Sequence, residues 1–464
     1  MINLGLSLYS KGISPDKACT KVSAGLLSLV CDCAVSVRVL ELHPFKFFLQ
    51  LKLCSRSGMF ARLNVKLRPA LRQAQLSWRH RTQIRGRSDT SATFHLHQDC
   101  LELSYGGTPM RFNYVWLRDH CRSAASYSSN THQRNVDTGS IELSIRPDRT
   151  TVEDGHLVLT WPDGHVSKYS LSWLAENSYE VKKQSAVQPR ILWNSDIYKK
   201  ADMPSAKYNK FMSSDDELKK FLQHYLQYGI AFVDDVPATV EATEEVTKRV
   251  SLIRETTYGR MWCFTSDFSR GDSAYSQLAL DRHTDTSYFQ EPCGIQVFHC
   301  LKHEGSGGRT LLVDGFYAAE KLRQKSPENF ELLATVPIRH EYIEETEGHR
   351  NHITGIGPVL NVYPWNNEVY LMRYNNYDRG VLNTVPHDTV QRWYVAHREL
   401  TAELRRPENE LWVKLTPGKV IFVDNWRVLH GRESFTGLRQ ICGCYLTRDD
   451  IINTARCLGL QALS

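Results

Sequence analysis

Between residues 94 and 180 the chain runs through short stretches in which apolar positions alternate with polar ones: FHLHQDCLELSYGG, PMRFNYVWLRDHC, SIELSIRP and HLVLTWPDGHVSKYSL. The turn signals YGG, DTGS and WPDG separate them. Side chains of a strand alternate faces, so this pattern predicts a small all-β domain over 94–180. Residues 181–207 are polar and punctuated by proline, and read as a linker. From 208 onward the period changes. DDELKKFLQHYLQYG places Leu218, Phe221, Leu222, Tyr225 and Leu226 at helical spacing and ends in Gly229, a residue suited to a C-cap. ATEEVTKRVSLIRETTYG and HDTVQRWYVAHRELTAELRR predict two further helices. Around them lie strand-like runs: IAFVDDV, GIQVFHCL, GRTLLVDG, VPIRHEYI, GPVLNVYP, EVYLMRY, WVKLTPGKVIFVDN and QICGCYLT. Mostly β with flanking helices over 208–464 predicts a jelly-roll domain.

Charge changes the picture at one end only. The net charge is +6, but residues 59–88 hold seven Arg and one Lys with no acid, leaving −2 for the remainder. A near-neutral body argues against nucleic acid as a partner. The Arg-rich, acid-free stretch from Met59 has the composition of a mitochondrial transit segment, expected over 59–93; a basic arm is the plainer alternative. Residues 1–58 read as an upstream extension. Their apolar run VSAGLLSLVCDCAVSV is 16 residues long and carries Asp32, short of the ~20 needed to span a bilayer, so no membrane partner is expected. The 12 cysteines form no C-x-x-C pair and read as reduced thiols.

Chemistry first shows at His283-Thr284-Asp285. Residues i and i+2 of a strand share a face, so this pair can hold one metal ion. Alone the signal is weak: His97-Gln98-Asp99 has the same form, and such pairs are more often hydrogen-bonded strand residues. The segment GKVIFVDNWRVLHGRESFTGLRQICGCYL adds His430 and, nine residues on, Arg439. Two histidines and a carboxylate with open positions make the facial triad of non-haem Fe(II) oxygenases. A 2-oxoglutarate co-substrate needs a cation for its distal carboxylate. Arg439 supplies a bidentate fork, although an isolated arginine is more often a surface ion pair. Thr310 is a candidate hydroxyl for the same carboxylate. No H-E-x-x-H is present, and GSGGRT lacks the spacing of a phosphate loop.

The motifs YVWLRDHCRS, WPDGHV, YGRMW, LDRHTDT, GIQVFHCLKH, GGRTLLVDGF, RYNNYDR and DNWRVLHGRESFTGLRQ, spread over roughly 94–462, make the sequence resemble the γ-butyrobetaine/trimethyllysine dioxygenase family of Fe(II)/2-oxoglutarate enzymes. The resemblance implies a double-stranded β-helix catalytic domain, a small N-terminal β domain, O2 as oxidant and support by ascorbate. It assigns His283, Asp285 and His430 to iron and Arg439, with Thr310, to 2-oxoglutarate. It places an aromatic cage for a quaternary ammonium at Tyr258, Trp262, Tyr275 and Tyr445, a cation held through aromatic faces; each ring taken singly is better explained by core packing, and the four together by the cage. Of the family's two substrates, free N6,N6,N6-trimethyllysine is expected, hydroxylated at C3 with release of succinate and CO2 as the first step of carnitine biosynthesis. Asp272 stands where the γ-butyrobetaine enzymes resemble one another in carrying Asn, and could pair with an α-ammonium. Asn375 or Asn376 would hold the substrate carboxylate. The zinc-binding run of the sister enzymes is reduced here to Cys121 and His165, so no zinc is expected in the N-terminal domain. The matrix of the mitochondrion and a possible homodimer are also implied. The alternatives are γ-butyrobetaine hydroxylation and a non-catalytic trimethylammonium-binding module.

Overall fold

The structure, a computed structural model, describes residues 35–41, 47–53, 92–179, 190–265, 276–346 and 349–460. The expected transit segment thus lies outside the described residues except at 92 and 93, as do Asp272 and Tyr275. The chain divides into two compact units, residues 1–180 and 181–464.

In the first unit, strands Thr93–Leu96, Cys100–Tyr105 and Thr108–Asn113 form one antiparallel sheet; Arg149–Glu153, His156–Thr160 and Val166–Ser170 form another. Leu101, Leu103, Phe112, Leu157, Leu159 and Trp161 bury their side chains together. Three local expectations change. SIELSIRP is irregular, with Leu143 85% exposed. Alternation offers a strand but no partner, and the ladder forms instead at Arg149–Glu153. There Asp154 (φ 47°) and Gly155 (φ 73°) make the tight turn that folds it onto His156–Thr160. Tyr114–Asp119 and Leu171–Glu176 are helices rather than strand ends; the Ser170 hydroxyl caps the second by accepting from the Trp173 N–H.

In the second unit, a seven-stranded sheet runs in the order Ala206–Lys207, Ile230–Asp234, Val420–Asp424, Ile295–Glu304, Leu438–Leu446 and Ile253–Arg254, with Trp262–Phe264 also pairing Leu438–Leu446. A four-stranded sheet runs Leu280–His283, Val428–Arg432, Thr310–Asp314, Leu411–Val413. One buried cluster draws Leu312, Leu411 and Val428 from the smaller sheet against Ile421, Val423 and Ile441 from the larger, so the two close on each other as a jelly roll. Helices Asp215–Tyr228, Val240–Val250 and Arg448–Cys457 cover the outside of the large sheet. Gly315–Lys325, Pro327–Thr335 and His387–Leu404 cover the small one.

The predicted helix over 215–229 forms. The Ser214 hydroxyl accepts from the Glu217 N–H at one end, and Gly229 (φ 75°) ends it at the other. Gly315–Lys325, Pro327–Thr335 and Arg448–Cys457 were not expected as helices. The apolar face of Gly315–Lys325 is partly alanine (Ala318, Ala319), which weakens the periodic signal. Its start is fixed by Asp314, which accepts from the Phe316 and Tyr317 N–H groups and takes a two-pronged ion pair from the buried Arg427 at 3.1 and 2.8 Å. Residues 181–207, expected as a linker, carry the helix Ser195–Ala201 and the fully buried Trp193.

Candidate active site

His283 closes its strand and stands directly opposite His430 in the antiparallel partner. Opposite residues project to one face, so the two imidazoles lie side by side, ring centroids 4.5 Å apart. Asp285, two residues on, brings Oδ1 to 3.2 Å from His283 Nε2 and Oδ2 to 3.7 Å from His430 Nε2. The three ligand atoms all lie within 4.8 Å of one another, and no other trio of His, Cys, Asp or Glu does so among the described residues.

Backbone and neighbouring side chains hold this trio. His283 Nδ1 donates to the Asp281 carbonyl at 2.7 Å, which turns the Nε2 lone pair toward Asp285. Asn425, fully buried, grips the Asp285 peptide from both sides. Its Oδ1 accepts from the Asp285 N–H (2.8 Å), and its Nδ2 donates to the Asp285 carbonyl (2.9 Å) and to Cys293 O (2.8 Å). The next residue, Thr286, is β-branched at φ 56°, a strained conformation that its hydroxyl, accepting from the Cys293 N–H, helps to fix. Gln296 and Tyr445 face each other across adjacent strands. Both donate to Asp285 Oδ2, at 2.5 and 3.2 Å.

Burial alone would raise the Asp285 pKa, but the two histidines and the Gln296 amide hold it well below the usual carboxylate range. Burial, then the neighbouring His283, pushes His430 down, so it is neutral with a lone pair to give. For His283 burial acts in the same direction, but the Asp285 hydrogen bond and charge outweigh it and raise the pKa. Two imidazoles and one ionised carboxylate, joined by no further His, Cys, Asp or Glu among the described residues, fit an Fe(II) that keeps positions open.

Arg439 lies on the strand Leu438–Leu446, opposite His303. It is buried, and burial lowers its pKa to about 10, which leaves it cationic at neutral pH. Its guanidinium packs over Phe435 at 5.6 Å and has no carboxylate or hydrogen-bond acceptor among the described residues. A buried cation in that condition suits a ligand carboxylate. Thr310 is buried on the small sheet, opposite Arg432. Arg432 is tied to the carbonyls of Ser276 and Leu278.

Three of the four expected cage aromatics are described, and they meet. Tyr445 lies 5.8 Å from Trp262 and 6.3 Å from Tyr258, centroid to centroid. Trp262 lies across Gly443, where a Cβ would come within 2.2 Å of the indole, so that position needs glycine. Two rings that sequence reading missed complete the wall: Tyr342, 5.9 Å from Tyr258, and Tyr288, whose hydroxyl is 2.5 Å from that of Tyr258. Tyr288 and Tyr342 are stacked at 4.9 Å. Tyr288 sits only three residues past Asp285, in the signal TSYF; Tyr342 comes from a separate hairpin and left no such trace. Gln296 and Asn425 were missed as well, although Asn425 lies within the motif DNWRVLHGRESFTGLRQ.

Asn375 spends its amide in a turn: Oδ1 accepts from the Tyr377 and Asp378 N–H groups, and Nδ2 donates to Asp378. Asn376 is exposed and borders a cavity of about 210 Å³ with Asp281, Arg282, Tyr377 and Arg405. In the first unit, Cys121 Sγ lies 3.2 Å from His165 Nε2, with the Ser123 and Ser126 hydroxyls at 3.3 and 3.5 Å.

Residues 196–445 match the model of the taurine catabolism dioxygenase TauD, TfdA family, and residues 93–175 match that of the γ-butyrobetaine hydroxylase-like N-terminal domain. The mitochondrial trimethyllysine dioxygenase of Mus musculus is 63% identical over 410 residues, covering 88% of this chain and 96% of that one. The γ-butyrobetaine dioxygenase of Pongo abelii is 25% identical over 359 residues, 74% of this chain and 90% of that one. A solved taurine dioxygenase from Burkholderia xenovorans aligns with TM-score 0.39 at 16% identity, over 50% of this chain and 82% of that one. With the first model spanning more than half its length, and a near-full-length relative at 63% identity, the chain belongs to the TauD, TfdA dioxygenase family, on its trimethyllysine dioxygenase branch.

Proposed function

We propose that the protein hydroxylates free N6,N6,N6-trimethyllysine at C3 with O2 and 2-oxoglutarate, releasing succinate and CO2, as the first step of carnitine biosynthesis. The observation that carries this is the trio His283, Asp285 and His430, converging within 4.8 Å beside an aromatic wall. The 63% identical relative, set against 25% for the γ-butyrobetaine enzyme, supports this substrate over its sister.

In this reading the trio holds Fe(II), which supplies, with 2-oxoglutarate, the oxidising power that an unactivated C–H bond demands. The chain's own residues supply placement. Arg439 takes the distal carboxylate of 2-oxoglutarate, with Thr310 as a hydroxyl contact. Tyr258, Trp262 and Tyr445 present ring faces to the trimethylammonium, with Tyr275 as the fourth wall. Tyr445 has a second part: its hydroxyl reaches Asp285 Oδ2, so one side chain sets both the cationic end of the substrate and a metal-binding carboxylate. Correct distance between C3 and the metal follows from both ends being held. Asp272 pairs with the substrate α-ammonium, and Asn376, whose amide is less committed than that of Asn375, is the better candidate for its carboxylate. Ascorbate supports turnover by keeping the metal reduced. The first unit works without zinc, Ser123 and Ser126 standing where a tetrahedral site needs further ligands. The site of action is the mitochondrial matrix, after removal of the 59–93 segment, and the assembly is a homodimer. No helix among the described residues is long and apolar enough to cross a membrane.

The test is turnover of both candidate substrates by the parent, with Asp285→Ala as control. Trimethyllysine-dependent succinate release is expected in the parent and is lost in Asp285→Ala with the unfolding midpoint retained. Near-normal turnover in that variant, or preference for γ-butyrobetaine in the parent, overturns the reading.

A further inference from the structure

The large sheet carries a group of thiols that the oxygenase chemistry does not use. Cys263 and Cys442 stand directly opposite each other on the antiparallel strands Trp262–Phe264 and Leu438–Leu446. They share one face, and the adjoining pair, Trp262 and Gly443, points to the other. Opposed α-carbons in such a ladder lie about 4.5–5.5 Å apart, within the ~4.4–6.8 Å that a disulfide spans. Both thiols are free; Cys263 is exposed and Cys442 buried. The helix Val240–Val250 packs on that face, where Cys444 donates to the Thr247 hydroxyl at 3.6 Å. His299, opposite Cys442 on the other neighbouring strand, contacts the Thr243 hydroxyl at 2.7 Å. That hydroxyl donates to Thr239 O, so it accepts from His299 Nδ1–H. His299 Nε2 is left buried without a hydrogen-bond partner among the described residues.

We propose that Cys263 and Cys442 form a reversible dithiol–disulfide site, oxidised by thiol–disulfide exchange with a low-molecular-weight disulfide of the glutathione class. The exposed Cys263 thiolate attacks one sulfur of the oxidant, forming a mixed disulfide and expelling one glutathione thiolate. Cys442 then gives up its proton and attacks the Cys263 sulfur. The protein disulfide forms, the second glutathione leaves as thiol, and two electrons have passed from the protein dithiol to the oxidant. The division of labour follows the electrostatics. The contact with Cys442 lowers the Cys263 pKa, while the same contact and burial raise that of Cys442, so Cys263 is the attacking thiolate and Cys442 the resolving thiol. The product ties the strand that carries Trp262 to the strand that carries Arg439 and Tyr445.

The experiment places the purified full-length protein in glutathione buffers from fully reduced to fully oxidised. Free thiols are trapped with iodoacetamide, and the digested peptides are read by mass spectrometry. The expected result is a cross-linked peptide pair joining Cys263 to Cys442 that grows with the oxidised share and disappears under dithiothreitol. Cys263→Ser, a change at an exposed position, removes the pair; Cys442→Ser leaves Cys263 as its glutathione adduct. Exposed Cys457 reports that the oxidant has acted. If Cys457 is modified while parental Cys263 is recovered alkylated, or only as the glutathione adduct, the proposal is overturned.

Discussion

Tyr445→Phe removes one oxygen atom and keeps the ring. The lost hydroxyl donates to Asp285 Oδ2 over 3.2 Å. Hydrogen bonds to charged groups contribute about 1.5–3 kcal/mol. A separation beyond the usual ~2.8 Å of an O–H···O bond puts this one at the lower bound. Near 1.5 kcal/mol the change in affinity is roughly tenfold. Gln296 holds the same oxygen over 2.5 Å, so Gln296→Leu weakens the ligand more, toward roughly a hundredfold, the upper end for outer contacts of a metal site. The ring itself stays 5.8 Å from Trp262 and 6.3 Å from Tyr258, so the KM for trimethyllysine in Tyr445→Phe stays within about twofold, as cation–π attraction needs only the ring face. The assay is the Fe(II) dependence of succinate release by metal-stripped enzyme at saturating trimethyllysine and 2-oxoglutarate. An unchanged Fe(II) dependence together with a tenfold higher substrate KM refutes the reasoning, because the hydroxyl then serves the substrate and not the carboxylate.

Arg439→Leu removes a buried charge with no acceptor among the described residues, and the KM for 2-oxoglutarate should rise by about tenfold to a hundredfold with substrate binding little changed, read by varying each co-substrate in turn. Trp262→Leu should raise the trimethyllysine KM by about twofold to thirtyfold, the span of ~0.5–2 kcal/mol for cation–π contact, measurable by direct binding of the substrate. His397, stacked on Tyr374 at 5.3 Å and Trp393 at 5.0 Å, is pushed down to about 4 by burial and then by Arg379. The unfolded chain takes up that proton near pH ~6.5, so this histidine's stabilisation is complete above that pH and is lost as the pH falls toward 4. His397→Gln should therefore flatten the dependence of Tm on pH across that window, and an unaltered slope would count against it.

Much of the site was legible because chemistry sits in short motifs. The short spacing of His283 and Asp285 offered the pair from sequence alone, although the strand ends at His283 and it is the turn beyond it, gripped by Asn425, that brings Asp285 alongside; the helix over 215–229 follows from its own apolar spacing and Gly229. SIELSIRP shows the limit of that local logic: a correct alternation, but no partner strand to accept it. The helices Gly315–Lys325 and Pro327–Thr335 were hidden for the opposite reason, since what holds them is packing against the small sheet and not a strong stripe.

The sequence by itself determined the fold class and offered His283, Asp285 and His430 as one metal site, while its family resemblance marked Arg439 as the candidate co-substrate arginine and Tyr258, Trp262 and Tyr445 as candidate cage rings. Tertiary structure alone decided what steadies them. Gln296 meets Tyr445 because two strands pair in one register, Asn425 reaches Asp285 across 140 positions of chain, and Tyr342 arrives on a separate hairpin. It likewise set Cys263 opposite Cys442. Register is fixed by the burial of whole strand faces, a property of the assembled sheets that no single segment encodes.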